Sequence, residues 1–225
     1  MKVVSFCIFG NEKKYRQGLL ENLNIISTYL TDYHVFIVAG NDVDQEYLQK
    51  LIHPFVTVVQ KDYTGHELTL ERFFIIDNKE VDIVFFRDSD SRITQRELWC
   101  IKQFENDKKF IHIIRDHKNH DQYIMGGMCG FNKINGRFPL CMIEMYKKFK
   151  QSFQKLEDLN KYGIDQLFLQ NIYKTNLSKL VHSSNILYGT EKTMRIPIER
   201  SDKYDFIGNA IDFDDNNHPF YLYEI

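Results

Sequence analysis

Two aspartates one residue apart, Asp88 and Asp90, follow directly on the apolar run Ile83 to Phe86. Carboxylates at that spacing repel each other unless a cation or an arginine compensates them. Hard divalent ions take oxygen ligands, commonly one or two carboxylates together with substrate phosphates. Asp88-Ser89-Asp90 therefore suits Mg²⁺ or Mn²⁺ held between protein and a diphosphate, and equally suits a polar loop whose aspartates lead into a helix after Thr94. Arg87 and Arg92 flank the pair, and guanidinium forks match phosphate oxygens. Further along come Arg115-Asp116-His117-Lys118-Asn119-His120, the glycine-rich Met125-Gly126-Gly127-Met128-Cys129-Gly130, then Gly163-Ile164-Asp165-Gln166, and finally Val181-His182-Ser183-Ser184.

These residues need strands and helices to position them. Val3 to Phe9, Val35 to Val38, Val56 to Val59 and Ile83 to Phe86 read as short buried strands rich in β-branched and aromatic residues. Between them, Tyr15 to Leu30 has apolar residues at helical spacing, Asp44 to Leu51 reads as a short helix capped by Asp44, and Leu68 to Ile76 reads as helical. Alternation of this kind predicts an α/β fold of right-handed units around a mostly parallel sheet. In such sheets ligands bind beyond the carboxyl ends of the strands, which is where Asp88 falls. Gln95 to Glu105, Cys141 to Phe153 and Ile164 to Ile172 read as helices. Phe110 to Ile114, Ile124 to Phe131 and Leu180 to His182 read as strands, and the tail from Ser201, with Asp212, Asp214 and Asp215, reads as loop-rich.

The chain has 225 residues, 43% hydrophobic and 27% charged, with a formal net charge of −2. That is ordinary globular composition with core enough for one domain. No basic stripe marks a nucleic-acid binder. No apolar run approaches the roughly 18 residues of a membrane span, so a soluble cytoplasmic protein is expected, in host cytoplasm if the source is viral. The four cysteines form no CxxC pair, which predicts reduced thiols rather than a zinc knot or disulfide framework.

The ordered set Asp88-Ser89-Asp90-Ser91-Arg92, Arg115-Asp116-His117 with His120, Gly126-Gly127-Met128-Cys129-Gly130, Asp165-Gln166 and His182, preceded by Phe9-Gly10-Asn11 with Tyr15 and Gly18, resembles the small nucleotide-sugar glycosyltransferases of GT-A fold found in large DNA viruses and some bacteria. The resemblance runs over roughly residues 3 to 185. It implies a single GT-A domain over 1–225, with 1–92 the nucleotide-binding half and 93–225 the donor-sugar and acceptor half. It implies transfer of a sugar from a nucleotide-diphosphate sugar, UDP-linked in the first instance, to a glycan or other hydroxyl acceptor. Asp88, Asp90 and His182 would hold the cation. The imidazole favours Mn²⁺ over Mg²⁺, although His182 would equally serve as a satisfied strand-end histidine. Phe9, Gly10, Asn11 and Tyr15 would contact base and ribose, with Asn11 alternatively a helix cap. Ser89 and Arg92 would serve the donor and its diphosphate, and Arg72 would reach the diphosphate or Asp88, or alternatively be an exposed helix residue. Gly126, Gly127 and His117 would border the donor sugar. Asp165 is the first candidate for the base of an inverting transfer and Asp116 the second, each alternatively a sugar-binding or capping group.

Other chemistries fit less well. A DxD phosphatase of the haloacid dehalogenase type carries its motif near the N-terminus and continues it with Thr or Val. An EF-hand needs glycine where Ile93 stands. The Gly126-Gly127 segment lacks dinucleotide-binding spacing. A non-catalytic nucleotide-sugar or glycan-binding protein of the same fold is the remaining alternative.

Overall fold

A computed structural model describes residues 1–183, 187–214, 216 and 218–221. Ser184 and Asp215 lie outside the described residues. In chain order the elements are β1 (Lys2–Ile8), α1 (Lys13–Tyr29), β2 (Tyr33–Ala39), α2 (Gln45–Lys50), β3 (Val56–Gln60), a 3₁₀ segment (His66–Asp77) and β4 (Ile83–Arg87). Then follow α3 (Gln95–Asn106), β5 (Ile111–Arg115), β6 (Met128–Asn132), α4 (Met142–Gln151), a short 3₁₀ turn (Leu156–Asn160), α5 (Ile164–Tyr173), β7 (Lys179–Ser183), β8 (Thr193–Met194), β9 (Ile211–Phe213) and β10 (Pro219–Tyr221).

One sheet collects β1 to β8 in the order β3-β2-β1-β4-β6-β5-β7-β8. All its pairings are parallel except those of β6, which runs antiparallel between β4 and β5. Helices cover both faces, and the strands sort their side chains by parity. Val3, Val84 and Phe86 pack toward the 3₁₀ segment, α4 and α5. Val4, Phe6, Ile83 and Phe85 pack toward α1, α2 and α3. All five residues of β4 are buried, because neighbouring strands and a helical layer on each face enclose it.

The expected elements recur with small shifts at their ends. Asp44 caps α2 by accepting the Tyr47 N–H at 2.8 Å, and Thr94 accepts from Glu97 N at the start of α3. The helix read over Leu68 to Ile76 is wound throughout as 3₁₀ turns. The strand read over Ile124 to Phe131 begins only at Met128, so Gly126 and Gly127 lie in the approach to β6. The tail is more ordered than its polarity suggested. Phe206 and Ile207 are fully enclosed, Ala210 bridges Ser91, and β9 pairs with β10. All four cysteines are free thiols.

Candidate functional site

The strand order reverses at β1 and β4: the chain winds outward through β2 and β3, then returns to add β4 on the other side of β1. A crevice opens beyond the carboxyl ends of strands at such a switch point. Here it is a cleft of about 130 Å³. The end of β1 supplies Ile8 and Phe9, α1 supplies Tyr15, and the 3₁₀ segment supplies His66, Thr69 and Arg72. Asp88, Ser89 and Asp90 come from the end of β4, and Tyr162, Gly163, Asp165 and Gln166 from the start of α5.

Arg72 organises the floor. It is almost wholly buried, yet it donates from Nη1 to Asp88 Oδ1 at 2.6 Å and from Nη2 to Asp165 Oδ2 at 2.7 Å. A third bond, Nη1 to the Arg87 carbonyl at 3.0 Å, ties the guanidinium to the end of β4. Burial works against its charge, but Asp88 and Asp165 outweigh that and raise its pKa. The network fits because two glycines stand beside it. A Cβ on Gly126 would meet Asp165 Oδ2 and lie 2.6 Å from Arg72 Nη2. A Cβ on Gly127 would meet the Asp88 carboxylate and lie 2.8 Å from the Asp88 backbone nitrogen.

The two motif aspartates are compensated unequally. Asp88 has Arg72. Asp90 has no comparable partner among the described residues, and burial followed by the nearby Asp88 charge pushes its carboxyl up to about 6. A partly buried carboxylate that resists ionising beside another is the electrostatic setting a divalent cation relieves. Asp88 Oδ2 and Asp90 thus form an oxygen donor set that fits a hard cation. Asp165 is also raised, by burial first, with Arg72 opposing; its Oδ1 accepts the Gln166 N–H at 2.9 Å. Burial followed by Asp90 and Asp88 raises the Tyr15 phenol, so its hydroxyl stays protonated.

α1 holds the motif loop from behind. Asn22 donates to the Ser91 carbonyl at 2.8 Å and accepts from Ile93 N at 3.1 Å. The helix comes that close because residue 18 is glycine; a Cβ there would strike the Ser89 carbonyl. From the tail, Ile211 N donates to the Asp90 carbonyl at 2.9 Å.

Several expected site residues lie elsewhere. His182 faces the opposite side of the sheet from Asp88. It sits on β7, three places along the sheet from β4, with Nδ1 2.8 Å from His112 Nε2 and its ring 5.4 Å from Trp99 of α3. No group of three or more His, Cys, Asp or Glu side chains is arranged to hold a metal among the described residues. Asp116 is enclosed by Arg96, which donates to both its oxygens at 3.1 and 2.6 Å, and by Ile207 N at 3.0 Å, so it lies outside the cleft. His117 stacks on Phe206 at 4.1 Å, also outside the cleft. Arg87 turns into the α3 layer, pairing with Glu97 at 3.0 Å and donating to the Gly127 carbonyl and Ser91 Oγ. Arg92 braces the loop: it donates to Glu21 at 2.5 Å and to the Ser89 and Asp90 carbonyls. Asn11 is exposed in a separate groove beside Arg16 and Lys50, and α1 begins after Glu12 without a side-chain cap. Gly10 turns the chain at φ +74° and donates to Asp42 at 2.9 Å.

The sequence reading missed His66, Thr69, Tyr162 and Asn22. His66 and Thr69 follow the end of β3, so the strand-end rule that located Asp88 applies to them too. Asn22 stands three residues after Leu19 in the buried stripe of α1, and a polar residue in an apolar stripe signals a required hydrogen bond.

Neither a protein-family profile nor a curated protein sequence matches the chain. Solved structures do. TarS from S. aureus matches over 80% of this chain and 35% of TarS, at 20% identity and TM-score 0.50. The mannosyltransferase PcManGT from Pyrobaculum calidifontis, in complex with GDP-Man and Mn²⁺, matches over 80% of this chain and 54% of its own at 11% identity and TM-score 0.51. A 4-diphosphocytidyl-2C-methyl-D-erythritol synthase from Anaerococcus prevotii matches over 80% and 85% at 14% identity and TM-score 0.50. The fold is GT-A. The chain spans 58%, 35% and 60% of the length of three TarS structures it matches.

Proposed function

We propose that this chain is one GT-A domain that transfers a sugar from a nucleotide-diphosphate sugar, UDP-linked in the first instance, to a hydroxyl of a glycan acceptor, with a divalent cation at Asp88 and Asp90. The observation that carries the reading is the undercompensated carboxylate pair in the switch-point cleft, set beside the buried Arg72. The likeness to a mannosyltransferase bound to GDP-Man and Mn²⁺ supports the same donor class. The donor set is all oxygen, since His182 lies away from it, and oxygen ligands suit Mg²⁺ as well as Mn²⁺.

A cation there supplies Lewis-acid stabilisation of the departing diphosphate. The protein does the rest. Phe9, Tyr15, His66 and Tyr162 wall the nucleotide end of the cleft with rings: Phe9 meets His66 edge-on at 5.5 Å, and His66 meets Tyr162 at 5.7 Å. Arg72 fixes Asp88 and keeps the neighbouring carboxylates from repelling it out of position. Asp165 is the carboxylate placed to accept the acceptor's proton, and burial raises its basicity for that task. With both its oxygens already engaged, it also suits orienting a sugar hydroxyl. The carboxylate set favours an enzyme over a binding protein that has lost turnover.

The test is a panel of nucleotide sugars with and without Mn²⁺ or Mg²⁺, read by thermal shift and by the nucleotide released. Saturation at about 100 times Kd adds roughly 2.7 kcal/mol, a shift of roughly 5–10 °C for a domain of this size. Asp90→Asn is expected to abolish the metal-dependent shift while leaving the fold intact. Release of a nucleoside diphosphate supports sugar transfer, release of pyrophosphate would instead indicate nucleotidyl transfer, and no shift with any donor refutes the reading.

A further inference from the structure

Asp116 and its surroundings are left without a role by the cleft. The residue follows β5, and its carboxylate is completely enclosed. Arg96, in the first turn of α3, donates to both oxygens. Arg200 donates to the Asp116 carbonyl and comes within 3.7 Å of Oδ1. Arg195 completes the group from the same loop after β8; among the described residues its ion pair is with Glu199 at 3.9 Å, and both side chains are largely in solvent. Exposed pairs of that length contribute little, so Arg195 is available to a ligand.

These side chains border a cavity of about 520 Å³ with Ile196, Ile198 and Glu199. Three guanidinium groups face two carboxylates there, and one of the carboxylates, Asp116, is sealed beneath Arg96. The pocket is therefore net positive, and its donors are forks, the geometry that matches a multivalent oxyanion. Its frame is rigid. Ile196 packs with Ile207, Ile114 and Cys100, and Arg200 lies over the Phe206 ring at 5.6 Å. It is also joined to the motif loop: Ile207 N binds Asp116, Ala210 bridges Ser91, and Ile211 N binds the Asp90 carbonyl. Pocket and cleft share the carboxyl edge of the sheet, the pocket beyond β5 and the cleft beyond β1 and β4.

We propose that Arg96, Arg195 and Arg200 form a second, anion-binding subsite that holds a phosphate group carried by the acceptor. This rests on the glycosyltransferase reading for the word acceptor, but not for the anion site itself.

The experiment titrates the full chain calorimetrically at constant ionic strength, in chelator, with inorganic phosphate, glucose 6-phosphate and glucose. Both phosphates are expected to bind, glucose 6-phosphate more tightly, and glucose not at all. Arg195→Glu, a change at an exposed side chain, is expected to weaken both by at least tenfold, and Arg200→Ala to do the same. Asp90→Asn is expected to leave them unchanged. The proposal is overturned if neither phosphate binds, if Arg195→Glu binds as the parent does, or if Asp90→Asn tightens binding, as loss of a repelling carboxylate would if the anion sat in the donor cleft. Equal affinity for the two phosphates would reduce the site to one for free anion and overturn the acceptor assignment. Failure of the nucleotide-sugar panel with phosphate binding intact would refute the glycosyltransferase reading alone.

Discussion

Replacing Gly127 by alanine adds one methyl group at the place where the proposed metal site has least room. Its Cβ would meet the Asp88 carboxylate and stand 2.8 Å from the Asp88 backbone nitrogen. A side chain can swing away, but the backbone nitrogen at the end of β4 cannot. Rotation of the Asp88 carboxylate away from Gly127 breaks its 2.6 Å bond to Arg72 and leaves the contact with the backbone nitrogen in place. Overpacking costs about 1–3 kcal/mol, and a charge-assisted hydrogen bond is worth about 1.5–3 kcal/mol. The cheaper relaxation wins, so a loss of roughly 1–3 kcal/mol is expected, lowering the thermal midpoint by roughly 2–12 °C. Because the displaced group is a proposed ligand, cation affinity is expected to fall by about 10–100-fold, the range seen when groups supporting a ligand are removed. Gly136→Ala is the control. It sits at φ +73° with nothing within 4 Å, so it carries only backbone strain of about 1–3 kcal/mol and leaves the site alone. Calorimetry gives the midpoint, and a Mn²⁺ titration with and without nucleotide sugar gives the affinity. If Gly127→Ala binds cation and donor like the parent, Asp88 is not where the chemistry needs it and the reasoning fails.

Arg72→Met strips the counter-charge from Asp88 and Asp165. Removing one partner of a buried pair costs about 3–5 kcal/mol, and the half-exposed Asp88 puts the expected loss near the lower end of that range. Added Mn²⁺ should recover more stability in this variant than in the parent, and Arg72→Lys should recover only part because one ammonium cannot span both carboxylates; equal stability of Met and Arg variants would refute the clamp. His182→Leu is expected to leave cation-dependent donor binding intact, and its selective loss in a folded variant would return His182 to the metal shell. Burial holds His120 down to about 3, His182 down to about 4, and His112 well below its usual value. The native state keeps them neutral while the unfolded chain protonates them below about 6.5, so the unfolded state binds more protons between those limits and stability rises with pH there. Their contribution is complete above about pH 6.5 and is lost as pH falls toward 4; at about 1.4 kcal/mol per pKa unit, His182 alone accounts for roughly 3 kcal/mol. Urea midpoints that stay flat from pH 4.5 to 6.5 would contradict this.

The layered α/β architecture is legible in the amino-acid order, because short continuous apolar runs rich in β-branched and aromatic residues alternate with helical segments from Val3 to Phe86. The position of Asp88 and Asp90 beyond the end of β4 is legible there too, since a carboxylate pair directly after a buried strand must emerge at the carboxyl edge of a sheet. Asp44 was legible as a cap because that chemistry is local, whereas α3 is capped by Thr94 and not by the aspartates before it. The tertiary structure decided which of the remaining polar residues meet. Side chains alternate across a sheet, so His182 and Asp88 share the carboxyl edge yet point into different layers, and a motif read in chain order carries no record of that parity. The antiparallel insertion of β6 sets Gly126 and Gly127 against Asp88 and Asp165 and pushes β5, with Asp116, away from the cleft. Arg72, Arg87 and Arg92 look alike along the chain. Only packing made the first a bridge between carboxylates in the cleft and the other two supports behind it, because each guanidinium goes where a buried acceptor answers its donors.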